Sequence, residues 1–210
     1  LPQCIMDLNL KDKVAVVTGG SRGLGRAICL ALAAEGAKVA VNYRRNREKA
    51  DETAGEIARR FGVEVLPVAA DVANADDVVR LFDQVEAGLG PVDVLVNNAG
   101  TWPTAYVKDM TEQQWNEAQQ INLTGPFLTC REAVRRWLAV ETRGRIVNIS
   151  SQAAYHGSTT GHAHYAAAKA GLVVFTMSLA REVAANGIYV NGVAPGMMPT
   201  DMAREALEKN

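Results

Sequence analysis

Val14-Ala15-Val16-Val17-Thr18-Gly19-Gly20-Ser21-Arg22-Gly23-Leu24-Gly25 is the stretch on which the fold turns. Its four leading apolar residues make a run of the length expected for a buried strand. Glycines follow at 19, 20, 23 and 25. A helical pattern comes next. Leu24, Ile28, Ala31, Leu32 and Glu35 fall at spacings of three and four, and Gly36 stands where a helix would be capped. Strand, glycine turn and helix together suit a bound diphosphate. Glycine lets the backbone bend tightly and approach the anion, and the free N–H groups of the helix start point at it. Glycines also make ordinary turns and bulges. The strand before and the helix after are what favour a ligand.

Outward from this stretch, strands and helices alternate. Strand-like runs lie at Ala37–Tyr43, Val63–Val68, Val92–Val96, Arg145–Ile149 and Ile188–Val193. Helical stripes lie between them: Ala50, Ala54, Ile57, Ala58 and Phe61; then Val78, Phe82, Val85 and Leu89 behind an Asn74 N-cap. A long helical region opens on a Thr111–Gln114 capping box and runs past Trp137, with a bend expected near Gly125-Pro126. A last helix carries Tyr165, Lys169, Leu172, Phe175, Leu179 and Val183 and stops at Gly187. Such alternation predicts an α/β fold: a doubly wound parallel sheet with helices on both faces, in three layers. Ligands of such sheets sit beyond the carboxyl ends of the strands. The segments expected there are Gly19–Gly25, Asn42–Arg45, Asp71, Asn97–Gly100, Ser150–Ser151 and Pro195–Thr200.

The chain has 210 residues, 48% of them hydrophobic, and a formal net charge of −1. That suits one domain with a real core and provides no global field to gather nucleic acid or anionic lipid. No apolar run approaches the ~18 residues of a membrane span. Leu1-Pro2-Gln3-Cys4-Ile5 lacks the pattern of a secretory signal. Met6 reads as a natural start, with the five residues before it an addition; residues 1–10 are expected to form an N-terminal extension and 11–210 a single domain. Cys4, Cys29 and Cys130 fit neither a disulfide framework nor a metal spacing, which predicts reduced thiols and a cytoplasmic location.

Two features bear on chemistry. A site for NAD usually carries an acid about 20 residues past the glycines, to bind the ribose 2′-OH. Here the second strand ends Val41-Asn42-Tyr43, followed by Arg44 and Arg45, and Arg22 sits inside the glycine turn. Guanidinium groups suit an extra 2′-phosphate. NADP(H) is therefore expected over NAD(H). Tyr165 and Lys169 stand four apart on one helix and share a face. A phenol with a pKa of about 10 beside an ammonium becomes a better proton-transfer group for carbonyl–alcohol chemistry.

Thr18-Gly19-x-x-x-Gly23-x-Gly25, Asn97-Asn98-Ala99-Gly100, Asn122, Ser151, Tyr165-x-x-x-Lys169 and Pro195-Gly196 occur in one order and spacing. In this the chain resembles the short-chain dehydrogenase/reductase family from Lys11 to Met202. It looks closest to the 3-oxoacyl-(acyl-carrier-protein) reductase branch, on Tyr165–Leu172 and Ser178–Val183. The resemblance implies a Rossmann fold and reduction of a ketone to a secondary alcohol by hydride transfer. It makes Tyr165 the general acid. Lys169 would hold the nicotinamide ribose and lower the tyrosine pKa. Ser151, rather than its neighbour Ser150, would hydrogen-bond the substrate oxygen. Asn122 would hold a relay water at a helix kink. Gly19, Ser21, Arg22, Gly23, Leu24, Gly25, Asn42, Tyr43, Arg44 and Arg45 would bind the cofactor. Asp71 and Val72 would contact its adenine, and Asn98, Ala99 and Gly100 would line it and brace the sheet edge. Pro195, Gly196 and Thr200 would close over the nicotinamide amide. A homotetramer or homodimer is implied too. Rival readings are a sugar- or steroid-type alcohol dehydrogenase on the same scaffold and a non-catalytic NADP-binding sensor or scaffold.

The family continues beyond Asn210 into a substrate-loop helix and a further strand, so the C-terminal strand is expected to be missing here. Carrier-protein reductases tend to place a basic residue where Ala185-Asn186 stand. His156, His162 and His164 all fall between Ser151 and Tyr165. Without a supporting Cys they are expected to line the substrate mouth or face solvent rather than hold a metal. Trp102, Tyr155, Met197 and Met198 are candidates for an apolar substrate wall.

Overall fold

The computed structural model describes residues 8–198. Six parallel strands form one sheet in the order β3-β2-β1-β4-β5-β6. They are β1 (Val14–Val17), β2 (Lys38–Tyr43), β3 (Val65–Ala69), β4 (Val92–Asn97), β5 (Arg145–Ile149) and β6 (Tyr189–Val193). The helices are α1 (Gly23–Ala34), α2 (Arg47–Phe61), α3 (Ala75–Leu89), α4 (Glu112–Gln119), α5 (Gly125–Ala139), α6 (Ala153–His156) and α7 (Ala163–Val183). This is the doubly wound Rossmann arrangement. The strand order reverses between β1 and β4, which opens the crevice where such sheets bind ligands.

Every residue of β1 is buried. Successive side chains alternate faces, so Val14 and Val16 enter one core and Ala15 and Val17 the other. The first core holds Phe82 of α3, Trp137 of α5 and Leu179 of α7. The second holds Cys29 and Ala33 of α1 and Ile57 of α2. The β3 strand accommodates Pro67 because it is an edge strand.

Helix ends follow their capping residues. Asn46 accepts from Lys49 N, Asn74 accepts from Asp76 N and Asp77 N, and Thr111 with Gln114 forms the capping box. Two expectations need correction. The stripe through Leu24, Ile28 and Ala31 is not the face α1 buries. Gly25, Cys29 and Ala33 are, while Leu24 and Ile28 pack partly buried at the side and Ala31 is exposed. Small side chains let the helix press close to the sheet. The irregularity in the long helical region also comes just before Gly125-Pro126, at Asn122, where the resemblance implied a kink. Residues 120–124 form a π-helical turn joining α4 to α5, with Asn122 fully buried in it.

Candidate active site

One cleft of about 740 Å³ lies over the carboxyl ends of β1, β4 and β5. Its floor begins at the glycine turn. Gly19 and Gly23 have φ of +63° and +54°, conformations that disfavour side chains. An added Cβ at Gly25 would lie 2.2 Å from the Gly19 carbonyl oxygen, so the first turn of α1 rests directly on the strand end. Arg22 is the N-cap of α1 and gives no side-chain cap. The first N–H groups of that helix are thus left to the cleft, where Ser21, Leu24 and the glycines also lie. An uncapped helix start against a glycine cradle fits a diphosphate.

The turn is braced from both sides. Asn98 Nδ2 donates to Thr18 O at 3.0 Å and Gly19 O at 3.2 Å, while Asn98 N and Ala99 N donate to Thr18 Oγ1. This ties β4 to β1 at the centre of the sheet, not at its edge as the sequence suggested. Asn42 accepts from Gly19 N and donates to Val68 O and Ala70 O. It borders the cleft but is engaged in this brace. Tyr43 does not border it. As the next residue along the strand its side chain faces the opposite way, into the core under α1 and α2.

Arg22, Arg44 and Arg45 surround the far end of the cleft with Asp71 and Val72. The Arg44 guanidinium donates to the Asp71 carboxylate at 3.4 Å, and the other Asp71 oxygen accepts from Ala73 N.

The opposite end holds Ser151, Tyr165 and Lys169. Lys169 is fully buried by its surroundings, and burial pushes its ammonium down to about 8. Its Nζ donates to Ile149 O at 2.8 Å and lies 5.8 Å from the Tyr165 ring centre. Ser151 hydrogen-bonds Tyr165. Ser150 instead turns inward, donating to Lys169 O. Burial pushes the Tyr165 phenol above its ordinary value, and the Ser151 hydrogen bond opposes the rise. The lowering expected from Lys169 is not seen; desolvation dominates.

Asn122 reaches the same region from the π-turn. Its Oδ1 accepts from Thr101 N, and its Nδ2 donates to Thr101 O and Ala118 O. Gly100 leaves room for it, since a Cβ there would lie 2.9 Å from that Oδ1 and 3.7 Å from Lys169 Nζ. Pro195 and Gly196 border the cleft beside Gln152; Thr200 lies outside the described residues.

The histidines depart from expectation. His156 is exposed, but His162 and His164 are wholly buried. His162 is held by Thr104 Oγ1 and by Thr159. Neither ring nitrogen of His164 has a partner among the described residues. No group of three His, Cys, Asp or Glu is placed for a metal among the described residues, and no helix there is long and apolar enough to cross a membrane. Reading the sequence missed Gln152, Ser158 and Thr159 as cleft lining. Their position between Ser151 and Tyr165 was the available signal.

A family model for short chain dehydrogenases matches residues 13–210. The chain belongs to that family. It is 45% identical over 193 residues to a 3-oxoacyl-(acyl-carrier-protein) reductase of Synechocystis, covering 92% of this chain and 77% of that one. It is 46% identical over 200 residues to an acetoacetyl-CoA reductase of Rhizobium meliloti, covering 94% and 79%. A solved short-chain type dehydrogenase/reductase from Mycobacterium marinum superposes with a TM-score of 0.91 at 34% identity, covering 95% and 78%. This short-chain dehydrogenase is therefore an oxidoreductase, and its similarity to 3-oxoacyl-(acyl-carrier-protein) reductases agrees with the branch that its motifs suggested.

Proposed function

We propose that this short-chain dehydrogenase uses NADP(H) to reduce a ketone, a 3-oxoacyl thioester or another small carbonyl compound, to a secondary alcohol. The observation carrying this is the convergence of Ser151, Tyr165 and Lys169 at one end of a cleft whose other end is the glycine turn ringed by Arg22, Arg44 and Arg45. The relatives' names describe 3-oxoacyl substrates, which supports the substrate class.

The nicotinamide, when bound, supplies the hydride. The chain's own groups handle the oxygen. A phenol raised by burial stays protonated at neutral pH, so Tyr165 is ready to give its proton to the carbonyl oxygen as negative charge grows there. The Ser151 hydroxyl, already bonded to Tyr165, donates to the same oxygen. Lys169 would hold the ribose hydroxyls, and Asn122 would position a relay water at the π-turn. The α1 N–H groups and the glycine cradle would hold the diphosphate, with Asn98, Ala99 and Gly100 lining it. Pro195 and Gly196 would cover the nicotinamide, while Asp71 and Val72 would contact adenine. The arginines would take the 2′-phosphate through charge-assisted hydrogen bonds. Exposed Phe127, Val174 and Met177 on α5 and α7 support pairing of copies through those helices. Buried, free Cys29 and Cys130 support a reducing, cytoplasmic setting.

NADPH oxidation over a panel of β-ketoacyl thioesters, diketones and cyclic ketones tests the proposal. Tyr165→Phe should bind NADPH as wild type does and lose turnover by about 10²–10⁴-fold. Retained turnover overturns the acid assignment. Equal efficiency with NADH overturns the cofactor preference.

A further inference from the structure

The charged groups bordering the cleft are Arg22, Arg44, Arg45, Asp71 and Lys169. All but Lys169 sit at the nucleotide end. Beyond Tyr165 the described lining changes character and carries no charge. It runs through Trp102, Gly157, Ser158, Thr159, Met197 and Met198. Trp102 is the largest of these and is fixed on several sides. One face of the indole stacks on His162, with ring centres 4.4 Å apart and an interplanar angle of 28°. Its Nε1 donates to Ser158 Oγ at 3.3 Å. The Tyr165 ring lies 6.2 Å away at 53°.

The support behind the indole is itself tied down. His162 is wholly buried between Thr104 and Thr159. The two loops that carry Trp102 and His162 are joined by a backbone bond from Ala105 N to Gly161 O at 2.8 Å. Gly161 has φ +79°, and a Cβ there would lie 2.9 Å from Thr104 Cγ2, so the loops meet without room for a side chain. His162 covers one face of Trp102, so the indole can offer the cleft only its other face and its edge. A pre-positioned aromatic surface of this kind favours flat apolar groups. It loses no freedom on binding, and ring pairs gain beyond their buried area.

Resting on the ketone-reductase reading above, we infer that Trp102 is a specificity-determining residue that selects ketones carrying a flat apolar group on the carbonyl carbon, such as an aryl ring. The wall lies beside the Tyr165 ring. An aryl group stacked on it would therefore sit next to the carbonyl whose oxygen Tyr165 and Ser151 address.

The test compares two β-keto esters differing only at that group, ethyl benzoylacetate (phenyl) and ethyl acetoacetate (methyl), with NADPH and the full chain. Intrinsic reactivity cancels when the ratio of kcat/KM for phenyl over methyl is compared between wild type and variants. Trp102→Ala should lower that ratio about tenfold, mainly by raising KM for the phenyl ester. Trp102→Phe keeps a flat ring and should hold the ratio within about threefold, which separates wall from fold. Circular dichroism melts confirm that each variant is folded. A ratio unchanged in a folded Trp102→Ala protein overturns the inference while leaving the reductase reading intact. If Trp102→Ala is unfolded, a Trp102→Phe ratio lowered as much as tenfold overturns it, and a ratio held supports it. Turnover of no carbonyl in the wider panel with either nucleotide overturns the reductase reading and this inference with it.

Discussion

Gly25→Ala is the most exacting perturbation of the nucleotide end, because its effect follows from distances. The added Cβ would stand 2.2 Å from Gly19 O, 2.9 Å from Gly19 C and 2.5 Å from Asn98 Nδ2. Ordinary contact begins near 3.4 Å, so the helix and the strand end must part by about 1.2 Å. Neither neighbour yields easily. Gly19 is backbone in the left-handed region, and Asn98 Nδ2 already binds Thr18 O and Gly19 O. Overpacking costs roughly 1–3 kcal/mol, and disturbing two hydrogen bonds adds about 1 kcal/mol each. A loss of about 3–5 kcal/mol is large beside a typical domain stability of roughly 5–15 kcal/mol. The same movement displaces the uncapped α1 N–H groups, so NADPH affinity should fall at least tenfold. Urea unfolding followed by circular dichroism reads the first effect, and fluorescence titration with NADPH reads the second. Gly55→Ala is the matched control. Its Cβ would meet only the Arg59 guanidinium at 3.2 Å, the movable end of a side chain. In mid-helix α2 that change should be neutral or stabilising by up to about 1 kcal/mol. A Gly25→Ala protein that unfolds and binds like wild type would refute the close approach of α1 to the turn.

Lys169 and His164 provide two further predictions, in which burial of a titratable group weakens the fold. In the unfolded chain Lys169 titrates near 10.5, in the folded chain near 8, so between these values the unfolded state binds more protons. Stability from this group therefore climbs as pH rises from 8 to 10.5 and is at its lowest below 8. Relieving a shift from 10.5 to about 8 is worth about 3 kcal/mol, from which the lost bond to Ile149 O takes about 1 kcal/mol, so Lys169→Met should be more stable than wild type at pH 7 by roughly 2 kcal/mol, while its turnover falls to background. Urea melts at pH 7 and pH 10.5 check this, and a less stable variant at pH 7 contradicts it. His164→Leu removes two buried nitrogens that have no partner among the described residues, so Tm should rise by roughly 2–4 °C. Burial holds the His164 imidazole below its ordinary 6.5, so the wild type should lose stability as pH falls through that value. The variant should lose less, and parallel pH profiles of Tm would sink the assignment.

The fold was legible because its signals are local. The β1 run, the glycines and the caps at Asn74 and Thr111 each act within a few residues, and each stands where the pattern placed it. The errors fall where tertiary fit overrides hydrophobic count. On α1 the leucine and isoleucine stripe looked like the core face, yet closeness to the sheet selected Gly25, Cys29 and Ala33. At residues 120–124 an extra residue per turn has no compositional marker. What stabilises that turn is the Asn122 amide reaching Thr101 and Ala118. His162 was expected to line the substrate mouth or face solvent and is instead wholly buried, where two threonines from separate segments meet its nitrogens.

The same contrast divides the cleft. The groups assigned to nucleotide and proton transfer come from contiguous motifs: a turn of seven residues, a tetrapeptide after β4, and one helical turn from Tyr165 to Lys169. Each motif is set by local backbone geometry, so their spacing carries the family resemblance that points to them. Trp102 and His162 are sixty residues apart and become a wall only when Ala105 and Gly161 join two loops. No local pattern encodes that meeting. A change of substrate can then arise from a few loop residues without touching the nucleotide cradle. The sequence of such an enzyme therefore declares its reaction class well before its substrate, and the physical reason is contact range: short along the chain for the reaction, long for the choice of ketone.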